Sequence, residues 1–177
     1  MTSPGAAVGL AECGERADAV LLWPLLGHPE GRVRAGAVAG LRMLDVVDVE
    51  RLRPLLDDPE PGVVREVTRA LLPSAGALPL ETLTDRLAPG RPRQARVAAF
   101  RLLWARGGVV ALRAAVALLD DPDDRLRTWA GQSVQRWHAG RGVVRGDAEV
   151  GELLDRARHL CSDYVLKRRK WAAGLRA

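Results

Sequence analysis

The phrase LWPLLGHP at Leu22–Pro29 recurs thirty residues later as LRPLLDDP at Leu52–Pro59, and its second half returns as VALLDDP at Val116–Pro122. Self-similarity at such a period marks chains built from one small structural unit that cannot bury its apolar face alone and stacks on copies of itself. Each copy is followed by apolar residues at helical spacing, so each unit reads as helix, short turn, helix. The repeat therefore constrains the fold before any other feature does.

Extending this pattern along the 177 residues predicts four helical pairs. Residues 1–14, small and glycine-containing, read as a disordered segment. The first pair is Glu15–Leu26 and Arg32–Leu44, and the second is Asp48–Leu56 and Gly62–Leu72. The third is Leu80–Leu87 and Pro92–Arg106, with a shifted turn at Ala88–Arg91. The fourth is Val109–Leu119 and Asp124–His138. After a linker at Gly140–Gly146, Asp147–Ala173 reads as one long basic helix with Leu153, Leu154, Ala157, Leu160, Cys161, Tyr164 and Trp171 on one face. Turn aspartates Asp57, Asp58, Asp120 and Asp121 suit exposed amides at helix starts. Pro24 and Pro54 fall inside first helices and are expected to kink them. The fold predicted is all-α, a right-handed α-solenoid of about four helical hairpins with a long C-terminal helix.

A double leucine, a DP turn, then Val-Arg followed by Ala and Leu resembles the HEAT and HEAT-like repeat family. PEGRVRAGAVAGL at Pro29–Leu41 and PDDRLRTWAGQSV at Pro122–Val134 carry the likeness best, which covers residues 15–140. The resemblance implies that turn aspartates bond to the arginine after the valine between neighbouring repeats, implicating Asp57, Asp120, Arg34, Arg96 and Arg127. His28 stands where repeat one should have its Asp, and Val64 where repeat two should have its Arg. Some HEAT-like families are DNA glycosylases or bilin lyases.

Composition narrows the functional classes. Apolar residues make up 47% and aromatics only 4%, so the core must be built from Leu, Val and Ala. The formal charge of +5 is concentrated: residues 1–140 hold 18 basic and 17 acidic groups, whereas residues 141–177 hold 9 and 5. No signal peptide or membrane-length apolar stretch is visible, which predicts a soluble cytoplasmic protein. Cys13 and Cys161 stand alone and are expected not to bond to each other. There is no nucleophile elbow, phosphate-binding glycine loop, zinc-protease motif or cysteine pair at metal spacing. His28, His138 and His159 are scattered, and the acidic run Asp120, Asp121, Asp123 and Asp124 reads as a solvated turn rather than a cation site. No cofactor, metal or catalytic residue is expected.

With Val33, Ala37 and Leu41 as the buried stripe, the outward positions of the second helices follow at 100° per residue. They are Ala35, Val38, Ala39 and Arg42, then Arg65, Thr68, Arg69 and Leu72, then Val97, Phe100, Arg101 and Trp104, then Thr128, Gly131, Gln132 and Gln135. In HEAT-type chains this side lines the concave surface. Arg42, Arg65, Arg69 and Arg101, with the apolar trio Val97, Phe100 and Trp104, are thus the candidate partner-binding residues. None of the sixteen positions is acidic. The trio calls for a cover, either a partner or the C-terminal helix with Tyr164 and Trp171. The function predicted is a non-enzymatic scaffold or adaptor that binds a protein through the concave face. A second reading is nucleic-acid binding by the arginine groove and the cations Lys167, Arg168, Arg169 and Lys170. A glycosylase or lyase ranks last, because base excision needs an acid among aromatics.

Overall fold

The computed structural model describes residues 16–140 and 143–175, so the segment read as disordered at 1–14, and Cys13 with it, lies outside them. Among the described residues there are ten α-helices and no strand. They are α1 (Ala19–Leu22), α2 (Gly31–Met43), α3 (Val49–Leu52), α4 (Pro61–Leu71), α5 (Leu80–Asp85), α6 (Arg93–Arg106), α7 (Gly108–Ala117), α8 (Asp124–Arg136), α9 (Ala148–Arg156) and α10 (Asp163–Ala172). Second helices pack in succession, α2 on α4 and α4 on α6, while α7 lies against α6, α8 and α9.

The prolines act differently from a kink. The first helices stop after one turn, at Leu22 and at Leu52, and continue as 3-10 segments at Trp23–Gly27 and Arg53–Asp57. Pro24 and Pro54 sit at the start of those segments. A proline there has no N–H to give to an α-helical acceptor, and the tighter winding accommodates it. The turn between α6 and α7 is a single residue, Gly107, at φ +72°. That left-handed conformation is costly for a residue with a Cβ, so glycine permits the abrupt reversal.

The long C-terminal helix is replaced by a fifth helical pair. Helix α9 ends at Arg156, a 3-10 turn follows at Arg158–Leu160, and Cys161 is extended (φ −131°, ψ 147°). Ser162 then caps α10 by accepting from the Val165 amide at 3.4 Å. Capping by a short oxygen side chain is what allows a new helix to start there. The pair joins the fourth through its first helix. Helix α9 packs on α7, and the Arg113 guanidinium donates to both oxygens of Glu149, Nη2 to Oε2 at 2.7 Å. The segment read as a linker is tied down as well, because the Gly146 amide donates to the Ala173 carbonyl at 2.8 Å. A Cβ on Gly174 would lie 3.1 Å from the Gly146 nitrogen, so the two glycines (φ +80° and +77°) let these strands of chain touch.

Turns are joined by arginine–aspartate pairs, but through the second aspartate of each DD. Arg34 makes a bidentate contact with Asp58 (2.8 and 2.7 Å) and also donates to the His28 carbonyl at 2.7 Å. Arg96 repeats the arrangement with Asp121 and the Leu87 carbonyl, 3.0 Å from its Nε. Asp57 and Asp120 do not serve this role. Asp57 instead receives Arg86, Nε to Oδ1 at 3.0 Å, and Asp120 is exposed. The reason is geometric. Asp58 Oδ1 and Asp121 Oδ1 each accept the amide two residues on, at Glu60 (2.8 Å) and Asp123 (2.9 Å), which turns their carboxylates inward. His28 does the same with its ring, Nδ1 accepting from the Glu30 amide at 3.1 Å. Arg127 stays within its own turn, bonded to the Asp121 carbonyl and Asp124.

Burial alone would raise the Asp58 carboxyl, but the hydrogen bonds from Arg34 and the Glu60 amide, with the Arg34 charge, outweigh it and hold it below its ordinary value. A lowered carboxyl contributes stability that is fully present above the unfolded value, near 4, and is lost as pH falls through the folded one. Urea unfolding at a series of pH values should therefore show stability falling below about pH 4. Asp58→Asn keeps an acceptor for the Glu60 amide and removes the charge, so it should be less stable at neutral pH and should show a shallower acid dependence. An unchanged acid slope would contradict the assignment.

Candidate functional site

The structure separates the sequence-predicted residues into three groups. Phe100 is fully buried, so it is a core residue and not part of an exposed face. Val38 and Thr68, its counterparts in earlier repeats, are buried too. Each second helix touches its own first helix on one side and the next second helix on another, so the buried arc is wider than one stripe. Phe100 is covered by Trp129 of α8, with ring centroids 4.8 Å apart and planes at 88°, an edge-to-face arrangement favoured by aromatic quadrupoles. Of the two covers considered, the rings of the C-terminal segment are not used: Tyr164 and Trp171 are 73% and 76% exposed. Trp104 is half-buried, packs on Phe100 at 6.3 Å, and lines a cleft with Gly107, Ala111, Arg136, Trp137 and His138.

A second group comes together. Between α4 and α6 a cleft of about 250 Å³ is lined by Arg65, Val97 and Arg101 among the expected residues, with Val64, Thr68, Ala98, Arg93 and Gln94. Val64 and Val97 supply an apolar floor, and the Thr68 hydroxyl is turned away to the Val64 carbonyl at 2.6 Å. The lining holds neither an acid nor an aromatic ring. Gln94 and Arg93 were missed at the sequence level. Gln94, Val97, Ala98 and Arg101 stand at i, i+3, i+4 and i+7, so a frame begun three residues earlier along α6 would have found this face.

Charge on the face is less one-sided than the outward positions suggested. Glu66, read as lying off the face, stands between two arginines, its Oε1 2.6 Å from Arg69 Nη1 and 3.7 Å from Arg65 Nε. Arg93 reaches Asp123 at 2.6 Å. Arg101 alone among the cleft arginines has no ion-pair or hydrogen-bond partner among the described residues. Arg42 is exposed, and neither it nor Arg69 reaches the cleft.

The four consecutive cations form the third group and split in two. Arg169 donates to the Val134 carbonyl at 2.8 Å and to the Gln135 carbonyl, satisfying the C-terminal end of α8. Lys170 holds Asp155 at 2.7 Å. Lys167 and Arg168 remain exposed. The acidic run is likewise occupied: Asp121 by Arg96, Asp123 by Arg93, and Asp124 by Arg127. No group of three or more His, Cys, Asp or Glu that could hold a metal ion occurs among the described residues. No helix among them is long and apolar enough to cross a membrane.

No family model matches the chain, and no curated protein matches it in sequence. In structure it is similar to an engineered protein, a Northeast Structural Genomics Consortium target solved by crystallography, with a TM-score of 0.52 and 20% identity. The alignment covers 97% of this chain and 88% of that one. At that identity the likeness shows a shared all-helical fold and no more.

Proposed function

We propose that the chain is a right-handed α-solenoid of the HEAT-like kind that works as a non-enzymatic adaptor. Its row of second helices forms a concave face that grips a protein partner. The cleft between α4 and α6 is the anchoring point.

The observation that carries this reading is Arg101. Arg101 is half-buried, lines the cleft with Val97 and lacks an internal counter-charge, whereas Arg34, Arg86, Arg96 and Arg113 each hold a carboxylate. An arginine on an apolar floor gives a partner's carboxylate a planar, bidentate donor in a partly dry setting, where such contacts are strongest. Arginine with surrounding apolar contact is the usual composition of interface anchors. The partner segment that fits presents an Asp or Glu next to an aliphatic side chain. Gln94 at the rim adds a polar contact that fixes its register.

The test is retention of a polypeptide by the immobilised chain after nuclease treatment, compared with the variant Arg101→Glu. Binding should fall by about fivefold or more, the scale of an interface anchor. Thermal stability should change little, because the side chain has no internal partner to lose. Equal retention by wild type and variant would refute the cleft as the anchor. Phe100→Ala supplies the contrasting outcome, a stability loss of about 3–5 kcal/mol from an emptied core position in urea unfolding.

A further inference from the structure

We infer that the outer face of α10 is a binding surface for single-stranded nucleic acid. Tyr164, Lys167, Arg168 and Trp171 stand at i, i+3, i+4 and i+7, so they share one face of the helix. All four are exposed, the two rings by about three quarters of their surface. The remaining long side chains of α10 are used internally: Leu166 is buried, and Arg169 and Lys170 are bonded to α8 and α9. This face is the part of α10 that the fold does not use.

Its composition selects the ligand. Two aromatic rings are separated by two cations over seven residues, about 10 Å along the axis. Bases stack on such rings whatever their identity, while the cations between them meet the backbone phosphates. Arg168 also borders a cleft of about 340 Å³ shared with Arg136, Trp137 and His138, whose lining carries no acid. Arg136 therefore extends the positive track onto the end of α8. Lys167 borders a second cleft with Arg158 and Lys170, and the acids in it are Asp155, held by Lys170, and Asp163. A membrane surface fits less well, because Leu166, the long aliphatic side chain of α10, is buried and the exposed rings share their face with cations instead of forming a separate apolar strip. Stacking also distinguishes single strands from duplex, where the bases are already paired and stacked.

The experiment is fluorescence anisotropy of a labelled oligo-dT of about 20 nucleotides with the full chain, titrated at several salt concentrations. Affinity should fall with salt at a log–log slope near −2, as expected for about three phosphate contacts on a single strand. Trp171→Ala should weaken binding by about fivefold to a hundredfold while leaving the thermal transition in place. Lys167→Gln with Arg168→Gln should reduce the slope by about 1.4. No binding at low salt, an unchanged Trp171→Ala affinity, or equal affinity for a duplex of the same length would each overturn the proposal. Tighter capture by anionic phospholipid vesicles than by the oligonucleotide would also overturn it and assign the face to a membrane.

Discussion

The buried contact of Arg34 with Asp58, and its counterpart between Arg96 and Asp121, is the interaction on which the stacking of the helical pairs depends. Each arginine arises on a second helix, closes its own turn through a carbonyl, and reaches the carboxylate of the next turn. One side chain thus fixes a turn and its spacing from the next. The pairs are almost wholly buried, so their desolvation must be met by complete hydrogen bonding. That condition holds: no buried side-chain nitrogen or oxygen among the described residues lacks a partner. Removing one partner would leave a charge stranded, which is far costlier than losing a surface ion pair.

Around these contacts the packing uses small residues. Leu, Val and Ala dominate the buried set, and they allow α2, α4 and α6 to approach one another closely. Between α6 and α8 the spacing is filled by rings instead, Phe100 against Trp129. Trp137 closes the far end of α8, its Nε1 donating to the Gly108 carbonyl at 2.9 Å. Around α6 and α8 the scarce aromatics fill space that small residues would leave open, whereas Trp23 lies under the Arg51 guanidinium and Tyr164 and Trp171 face solvent.

The phrase made the first, second and fourth pairs legible because its leucines and closing proline recur, and the third was legible from its apolar spacing on either side of Ala88–Arg91. The fifth pair escaped because its turn, residues 157–162, carries neither proline nor glycine. A 3-10 turn and Ser162 make the break, and the apolar spacing from Leu153 to Trp171 runs on as if through one helix. Tyr164 and Trp171 matched that spacing, yet both face solvent, since periodicity marks which residues share a side and not whether the side is covered. Phe100 was misplaced for a related reason. A pattern along one helix reports the contact with its hairpin partner, whereas burial between successive second helices depends on residues far apart in sequence. The choice of Asp58 over Asp57 turned on which carboxylate also accepts a backbone amide, a property of turn geometry rather than of residue type. The cleft was half visible: Arg65, Val97 and Arg101 came from the helical frame, and Gln94 with Arg93 came only from the structure.

Val64 occupies the place where the other second helices carry Arg34, Arg96 and Arg127. With no arginine there, the link between the second and third turns runs backward, from Arg86 to Asp57. The same replacement leaves a short apolar side chain on the floor of the α4–α6 cleft, in a volume that a guanidinium on its way to the next turn would otherwise fill. The recess lies where the periodic pattern is broken, so divergence from the repeat, rather than the repeat itself, gives this stretch of surface its individuality.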